Sequence, residues 1–335
     1  MLLKLAWRNI WRNKRRTYIT AASILFAVLL ASFMQAIQKG AWDKMEASLI
    51  NSYFGYAQLH QKGYMEDQTI EKAFPYNTAL QDLPKEVEGL NSFVPRLASF
   101  ALASYDLQTK GVFVVGTDPA AENGLTALAD KIVQGSYLDG NGNEALIVEG
   151  VAKTLKIGVG DTLVMISQGY HGVNAAGKFV IKGILHFPSP QLNKQFVFLP
   201  LPSAQSFYGA EGLVTRVSLN IENKEQMPNA IQGVKTSLGE DYEVMDWQEL
   251  LPALVEAREV DTAGNYLVLL ILYIIITFGI FGTVLMMAKE REYEFGVLIA
   301  IRMNRLKLGA LIWWEIVMLG LFGAFIGILA SLPVV

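Results

Sequence analysis

The chain has 335 residues, a formal net charge of −3 and a mean hydropathy of +0.30. A soluble domain of ordinary composition is less apolar, so these numbers argue against a purely soluble protein and favour membrane spans. Cysteine is absent, which excludes a disulfide-braced domain.

The first sixteen residues predict an amphipathic helix, residues 1–16, that lies in the plane of the lipid headgroups. At 100° per residue, the apolar side chains share about half of the helical wheel and the basic side chains take most of the remainder. Tryptophan and arginine on opposite faces are typical of interfacial helices. The alternative is a plain basic flank of the following span. The predicted interface anchors are Trp7, Arg8, Trp11, Arg12, Arg15 and Arg16.

Three apolar runs are long enough to cross a hydrocarbon core of roughly 30 Å at about 1.5 Å per residue. They predict transmembrane helices at 17–38, 264–288 and 308–335. Because the first run exceeds the usual apolar core of a signal peptide and lacks a good cleavage site, we expect a retained anchor.

The distribution of charge orients these spans. Residues 1–17 carry six basic side chains and no acidic one, and residues 289–307 carry five basic and three acidic side chains. Short basic segments beside spans stay in the cytoplasm. Residues 39–263 are therefore predicted to lie outside, in agreement with their 17 Lys and Arg against 27 Asp and Glu. The basic residues cluster beside the spans, which argues against nucleic-acid binding.

The outer segment, residues 39–263, predicts an α+β domain large enough for its own core. Short runs rich in β-branched and aromatic residues predict strands, and helical patterns alternate with them. The predicted strands are YAQLH, GVFVVG, EALIVEG, DTLVMIS, KFVIKGIL, KQFVFLPL and VTRVSLNI. The helical patterns are the second half of NEALIVEGVAKTLKI, PSAQSFYG and KEQMPNAIQGVKTSL.

One motif imitates a phosphate-binding loop. GVNAAGKF, residues 172–179, matches G-x-x-x-x-G-K-[ST] except at its last position, where Phe179 lacks the hydroxyl that holds Mg²⁺. The following residues predict a strand, whereas a phosphate loop opens onto a helix. We interpret this segment as a hairpin turn.

No catalytic or metal-binding pattern is visible. The histidines, His60, His171 and His186, are far apart in sequence and are expected to be scattered on the surface.

Glu315 is the ionisable residue inside a predicted span, and such residues are functional hypotheses by default. It either reaches the cytoplasmic interface or bonds a neighbouring helix, in a positioning or a direct mechanistic role. Glycines in the second and third spans predict close helix–helix or subunit contacts. They are Gly279, Gly282, Gly320, Gly323 and Gly327.

Between the second and third spans, residues 289–307 predict a cytoplasmic helix or loop. Its acids come early and its bases, Arg302, Arg305 and Lys307, come late, matching the partial charges at the two ends of a helix.

The order of these parts resembles the permease subunits of the MacB/FtsX-like class of ABC transporters, most closely the lipoprotein-releasing (Lol-type) branch. The resemblance covers nearly the whole chain. Its stretches are LAWRNIWRNKRRT, FVPRLASFALAS, VVGTDPAAE, IVEGVAKTLKIGVGDTL, KEREYEFGVLIAI and WEIVMLGLFGAFIG.

The resemblance implies a non-catalytic, multi-pass subunit of the bacterial inner membrane, with a cytoplasmic N-terminus and a periplasmic domain. It implies no cofactor on this chain, since ATP and Mg²⁺ bind to a separate ABC ATPase dimer. It also implies a second permease subunit, identical or homologous, membrane lipid, and a lipoprotein cargo passed to a periplasmic carrier. The predicted ATPase contact comprises Glu290, Arg291, Glu292, Glu294, Gly296, Arg302 and Arg305.

Two features depart from this class. Its members normally have four spans, whereas this chain stops at the third, so we expect a fragment or truncated product. Arg302 stands where the class usually has glycine. The alternatives are a MacB-type efflux permease, an FtsX-type signalling permease and, from a different class, a membrane-anchored receptor without an ATPase.

Overall fold

The computed structural model describes residues 2–12, 14–140, 142–221, 224–300 and 303–332. The chain divides into two compact units. We call Met1–Asp43 with Glu256–Val335 the helical unit, and Lys44–Val255 the sheet unit.

Helices occur in both units, and the long ones belong mainly to the helical unit. The helices are α1 (Leu2–Arg12), α2 (Lys14–Leu49), α3 (Tyr64–Asp67), α4 (Thr78–Asp82), α5 (Pro119–Thr126), α6 (Glu149–Leu155), α7 (Leu201–Tyr208), α8 (Met227–Ser237), α9 (Trp247–Leu250), α10 (Pro252–Glu290), α11 (Glu292–Ala300) and α12 (Arg305–Ser331).

The strands belong to the sheet unit. They are β1 (Ala57–Gln61), β2 (Phe74–Pro75), β3 (Leu90–Tyr105), β4 (Gln108–Thr117), β5 (Ile132–Gly135), β6 (Glu144–Val148), β7 (Thr162–Gln168), β8 (Asn174–Leu185), β9 (Phe196–Pro200), β10 (Leu213–Val214), β11 (Arg216–Ile221) and β12 (Tyr242–Asp246).

The main sheet has the order β12-β1-β11-β3-β4-β9-β6-β8-β5. Strand β7 pairs with both β3 and β8, so β3, β4, β9, β6, β8 and β7 form a closed ring. The long strand β3 belongs both to this ring and to the rest of the main sheet, since its first half pairs with β11 and its second half with β7. One buried apolar cluster is built largely from the strands of the ring, and a second lies between β1, β11 and β12 and helix α8.

The predicted α+β domain is confirmed in its elements. Each predicted strand overlaps an observed strand, and the three helical patterns correspond to α6, α7 and α8. The phosphate-loop look-alike lies at the β7–β8 hairpin, where the amide of Gly169 donates to the carbonyl oxygen of Val173 at 2.6 Å. The segment therefore belongs to a hairpin, as interpreted, although only its first two residues lie in the turn and residues 174–179 already form β8.

His60 corrects the expectation of surface histidines. It lies on β1, is fully buried, and stacks on the ring of Tyr64 at 5.2 Å. Its face of the sheet is covered by Tyr64 and by Arg216 directly opposite on β11, which leaves its side chain no solvent-facing position. His171 and His186 are exposed.

Within the part of the chain that the structure describes, three helical segments are long and apolar enough to cross a membrane: Thr17–Phe54, Pro252–Glu290 and Arg305–Ser331. The first combines most of α2 with a π-helical turn, Ile50–Phe54. The helices α2 and α10 extend beyond the predicted spans at 17–38 and 264–288, and both continue across the boundary between the two units.

Helices α2 and α12 approach closely at two glycines. A Cβ atom added to Gly323 would lie 2.9 Å from Cβ of Ile24, and one added to Gly327 would lie 2.9 Å from Cβ of Val28. The predicted role of glycines in helix contacts is confirmed at these two positions. A Cβ added to Gly279, Gly282 or Gly320 meets no atom within 4 Å.

Helix α2 is also tied to α10 by polar side chains. The carboxylate of Asp261 accepts hydrogen bonds from Gln38 Nε2 at 2.8 Å and from Trp42 Nε1 at 2.7 Å. Contacts from α12 and α10 therefore fix α2 at different points along its length.

We predict that Gly327→Val destabilises the helical unit by about 1–3 kcal/mol, the usual effect of overpacking, because the new side chain overlaps Val28. The matched control is Gly320→Val, which makes the same change in an open position. Thermal unfolding of both variants in one detergent measures the difference. Equal melting temperatures would contradict the assigned contact.

Candidate functional site

The candidate site is a polar cluster that connects α1, α11 and α12 around the carboxylate of Glu315. This side chain lies within the apolar helix α12 and is 1% exposed. Nδ2 of Asn9 donates a hydrogen bond to its Oε1 at 2.7 Å. Nη1 of Arg291 donates to both of its oxygens at 3.2 Å. Glu315 therefore bonds neighbouring elements, which is the second of the two expectations for it.

Burial makes this arrangement consequential. A carboxylate removed from water is costly unless it is paired and hydrogen-bonded, and removal of one partner leaves an uncompensated charge. The side chain of Arg291 is itself 10% exposed and lies 5.5 Å above the ring of Phe295. Glu315 and Arg291 consequently hold each other in place.

Arg291 lies where α10 ends and α11 begins. Its amide donates to the carbonyl oxygen of Met287, and its own carbonyl oxygen accepts from the amide of Phe295 at 2.9 Å. Backbone hydrogen bonds therefore run through the junction. The position of this one side chain links the end of α10, the start of α11 and the middle of the apolar helix α12.

A second ion pair connects α1 directly to α11. Nη2 of Arg12 donates to both oxygens of Glu294 at 2.7 Å, and Nε of Arg291 donates to the same carboxylate at 3.1 Å. Hydrogen bonds from Arg12 and then Arg291 lower the pKa of Glu294 below its usual value. Glu294 therefore stays ionised at neutral pH and is shared by the two arginines.

A third pair, Lys289 with Glu292 at 2.7 Å, is exposed on both sides. Its hydrogen bond lowers the pKa of Glu292. Exposed pairs of this kind contribute little to stability, so the fixed part of the site is the buried pair of Arg291 and Glu315, with the half-buried Asn9 bonded to it.

The predicted ATPase contact residues divide into two groups. Arg291 points inward to Glu315, so its side chain is not presented at the surface. The others that the structure describes are exposed; they are Glu290, Glu292, Glu294, Gly296 and Arg305. Arg302 lies outside the described residues. Contact with an ATPase stays a prediction for the whole set.

For the helix or loop predicted at residues 289–307, the expected order of acids first and bases last on one helix is corrected at Arg305 and Lys307. Helix α11 ends at Ala300 without a base in its last turn. The oxygen Oδ1 of Asn304 accepts from the amide of Leu306 at 3.0 Å and thereby caps a new helix. Arg305 and Lys307 therefore lie in the first turn of α12 instead of the last turn of α11.

Helix α1 is amphipathic, and its apolar side has a protein neighbour. Ile10 is buried against Leu319 on α12, and the ring of Trp11 lies 6.2 Å from that of Phe322. Trp7, Arg8 and Arg15 are exposed, as an interfacial role requires. The side chain of Arg16 lies outside the described residues. The anchoring role stays a prediction.

Two members of this site were missed by sequence reasoning. Asn9 carries no charge and has no motif, although it is a polar residue between the apolar positions Ala6 and Ile10. Tyr293 is 87% exposed on α11 and is the most exposed large side chain of that helix. Exposure of an aromatic residue is the signal that favours a contact surface. Among the described residues, no group of three or more acidic or histidine side chains is placed to hold a metal ion.

Comparisons with known proteins give two family matches. The model of the MacB-like periplasmic core domain matches residues 17–237, and that of the FtsX-like permease C-terminal region matches residues 266–335. An uncharacterized ABC transporter permease of Methanocaldococcus jannaschii is 24% identical over 210 residues, covering 60% of this chain and 50% of that protein. The chain thus spans about half the length of this curated relative.

Solved structures show weaker likeness. The extracellular domain of the noncanonic ABC-type transporter YknZ from Gram-positive bacteria has a TM-score of 0.41 and 15% identity, covering 57% of this chain and 99% of that one. The periplasmic region of MacB from Actinobacillus actinomycetemcomitans has a TM-score of 0.42 and 12% identity, covering 60% of this chain and 92% of that one.

Proposed function

Because this chain belongs to the MacB/FtsX-like permeases of ABC transporters, we propose that it transmits the work of a separate ATPase to release lipoproteins from the outer leaflet of the bacterial inner membrane. The chain is a non-catalytic membrane subunit with an extracellular domain. ATP and Mg²⁺ bind to the partner ATPase dimer. A second permease subunit and a periplasmic carrier for the cargo complete the proposed assembly.

The observation that carries the mechanism is the buried cluster at Glu315. A push on α11 displaces Arg291, and Arg291 cannot leave Glu315 without depriving the buried carboxylate of its cationic partner. The displacement is therefore passed to α12, and through Asn9 and Arg12 to α1.

Helices provide the proposed route toward the sheet unit. The chain passes between the two units inside α2 and inside α10, both of which are continuous there. A continuous helix transmits displacement along its axis better than a flexible loop does. The N-terminus is proposed to face the cytoplasm, as its basic residues require, with the sheet unit outside.

We place the ATPase contact on the exposed side of α11 and its flanks. Glu290, Glu292 and Gly296 are exposed there, with Tyr293 between them. The open position at Gly296, where an added Cβ meets no atom within 4 Å, leaves room for a partner surface. Arg291 serves as the inward link from this surface instead of as a contact.

We assign lipoprotein as the cargo on the sequence resemblance to the Lol-type branch described above. Efflux through an outer-membrane partner and activation of cell-wall hydrolases are the competing outcomes within the same class. A receptor without an ATPase is the competing outcome from another class.

The ATPase contact is tested with Glu290→Lys and Tyr293→Ala in the complex purified from the native host. We expect each to reduce recovery of the ATPase subunit by roughly tenfold, the effect of about 1.4 kcal/mol of lost binding free energy. Glu240→Lys, which makes the same charge reversal at an exposed position of the sheet unit, is the matched control. Binding and coupled ATP hydrolysis that survive both variants would show that the contact lies elsewhere, and absence of any ATPase from the wild-type complex would favour the receptor.

The cargo is tested by depletion of the chain in its native host, followed by separation of the membranes. We expect lipoproteins to accumulate in the inner membrane, because their extraction needs this subunit, and we expect the wild-type chain to restore their sorting. Sensitivity to drugs or peptides with normal lipoprotein sorting would contradict the assigned cargo and favour efflux. A cell-division or wall-hydrolysis defect with normal sorting would favour signalling.

A further inference from the structure

Two buried arginines lie directly opposite each other on neighbouring strands of the sheet unit. Arg96 on β3 pairs directly with Arg216 on β11, and Arg216 pairs with His60 on β1. Residues directly opposite on neighbouring strands share one face of the sheet, and like charges in such positions are destabilising. Arg96 is 0% exposed and Arg216 is 6% exposed. Two buried positive charges this close together are unfavourable unless each has an anionic or hydrogen-bonding partner, in the protein or in a ligand.

The positive charge of Arg96 is paired with a buried carboxylate. Its guanidinium donates to both oxygens of Glu122 at 2.8 and 2.7 Å, and to Ser218 Oγ at 2.9 Å. Glu122 also accepts hydrogen bonds from Thr117 and Thr126, each at 3.0 Å. The carboxylate of Glu122 is therefore committed to Arg96.

Arg216 has no such partner. None of the described carboxylates lies within ion-pair distance of its guanidinium, and its Nε has no hydrogen-bond partner among the described residues. Its charge is faced by aromatic rings, with those of Tyr53 and Phe113 at 5.6 and 5.3 Å. Its contact with the Tyr64 hydroxyl is long, at 3.4 Å.

Neighbouring groups confirm that the surplus charge is positive. His60 cannot neutralise Arg216, and burial together with the charge of Arg216 lowers the pKa of His60 to about 3, so His60 is neutral at physiological pH. The hydroxyl of Tyr53 is a second buried donor without a partner among the described residues. The one carboxylate beside the two guanidinium groups is thus bonded to Arg96 alone, and two buried donors, Nε of Arg216 and the hydroxyl of Tyr53, have no acceptor among the described residues.

The side chains that carry these two donors, Tyr53 and Arg216, belong to the wall of a pocket of about 230 Å³ that opens to the surface. Gln58 and Gln195 add amide groups, and much of the remaining wall is apolar, including Phe100 and Leu251. The pocket is smaller than the roughly 300–1,000 Å³ of drug-sized sites. It suits a charged head with a few carbon atoms attached.

We propose that this pocket binds an anionic amphiphile, in which a phosphate or carboxylate group pairs with Arg216 and accepts a hydrogen bond from Tyr53. The apolar part of the ligand lies against the aromatic wall. Charge-assisted hydrogen bonds to arginine are strong and match the planar geometry of carboxylate and phosphate. The proposal does not depend on the ATPase partner or on the cargo.

The test uses the full chain in nanodiscs of phosphatidylcholine and hexyl phosphate as the probe in calorimetry. We expect one saturable site per chain, with binding weakened at least about tenfold in Arg216→Met, the loss of a charge-assisted hydrogen bond. Lys178→Met removes the same charge at an exposed position and should bind as the wild type does. Unchanged binding in Arg216→Met would overturn the proposal.

A second variant separates binding from folding. Met65 is a half-buried residue of the pocket wall, and Met65→Trp should block the probe while leaving the charge of Arg216 intact. The melting temperature of ligand-free Arg216→Met should not fall below that of the wild type, because an unpaired buried charge is replaced by an apolar chain of similar length. A lower melting temperature together with no probe binding to the wild type would assign Arg216 a purely structural role.

Two further probes define the ligand. Inorganic phosphate and hexanol should each bind much more weakly than hexyl phosphate. If either binds as tightly as hexyl phosphate, the proposal that the ligand is an anionic amphiphile is overturned. Discs that also contain phosphatidylglycerol distinguish the sources of the ligand. Weaker apparent binding of the probe in these discs identifies the bilayer as the source, and unchanged binding identifies a water-soluble amphiphile; both support the proposal.

Discussion

The carboxylate of Glu315 lies inside an apolar helix without water to solvate it, and the helical unit is arranged to supply its hydrogen bonds. Asn9 comes from α1 and Arg291 from the α10–α11 junction, so elements far apart in sequence meet at one side chain. An unpaired charge in this position would cost several kcal/mol. The same requirement that stabilises the cluster therefore fixes the position of α1 and α11 on α12.

This constraint explains why the segment between the two apolar helices is so charged. Arg291 faces inward and satisfies Glu315, Glu294 joins it to Arg12, and the remaining charges stay at the surface. In the proposed mechanism, the inward-facing charged side chains transmit displacement to α12 and α1, and the outward-facing ones are available for contact with the ATPase. Further along the same buried stripe of α12, Gly323 and Gly327 bring α2 close. Helix α12 is thus held by polar contacts at Glu315 and by close backbone approach towards its C-terminal end.

Sequence reasoning predicted the local elements well and the long-range pairings poorly. Short runs rich in β-branched and aromatic residues identified strands such as β6 and β9, because this composition is a local property of the sequence. The ring closed by β7, and the opposition of Arg96 and Arg216, depend on register between distant strands, which no local pattern encodes. Glu315 was recognised as unusual from its apolar surroundings, but its partner Asn9 carried no signal beyond its polarity. The division of residues 289–307 was missed because Asn304 caps a new helix there.

The central claim is that the Glu315 cluster holds α1 and α11 as one body with α12. Since the chain has no cysteine, spin labels can be placed on cysteines introduced at Lys4 and Val297, which are exposed on α1 and α11. Pulsed electron–electron double resonance then measures the distance between the two spin labels. The account predicts a single narrow distance distribution in the wild type and a broad one in Glu315→Gln. A distribution that is equally narrow in both proteins would contradict it.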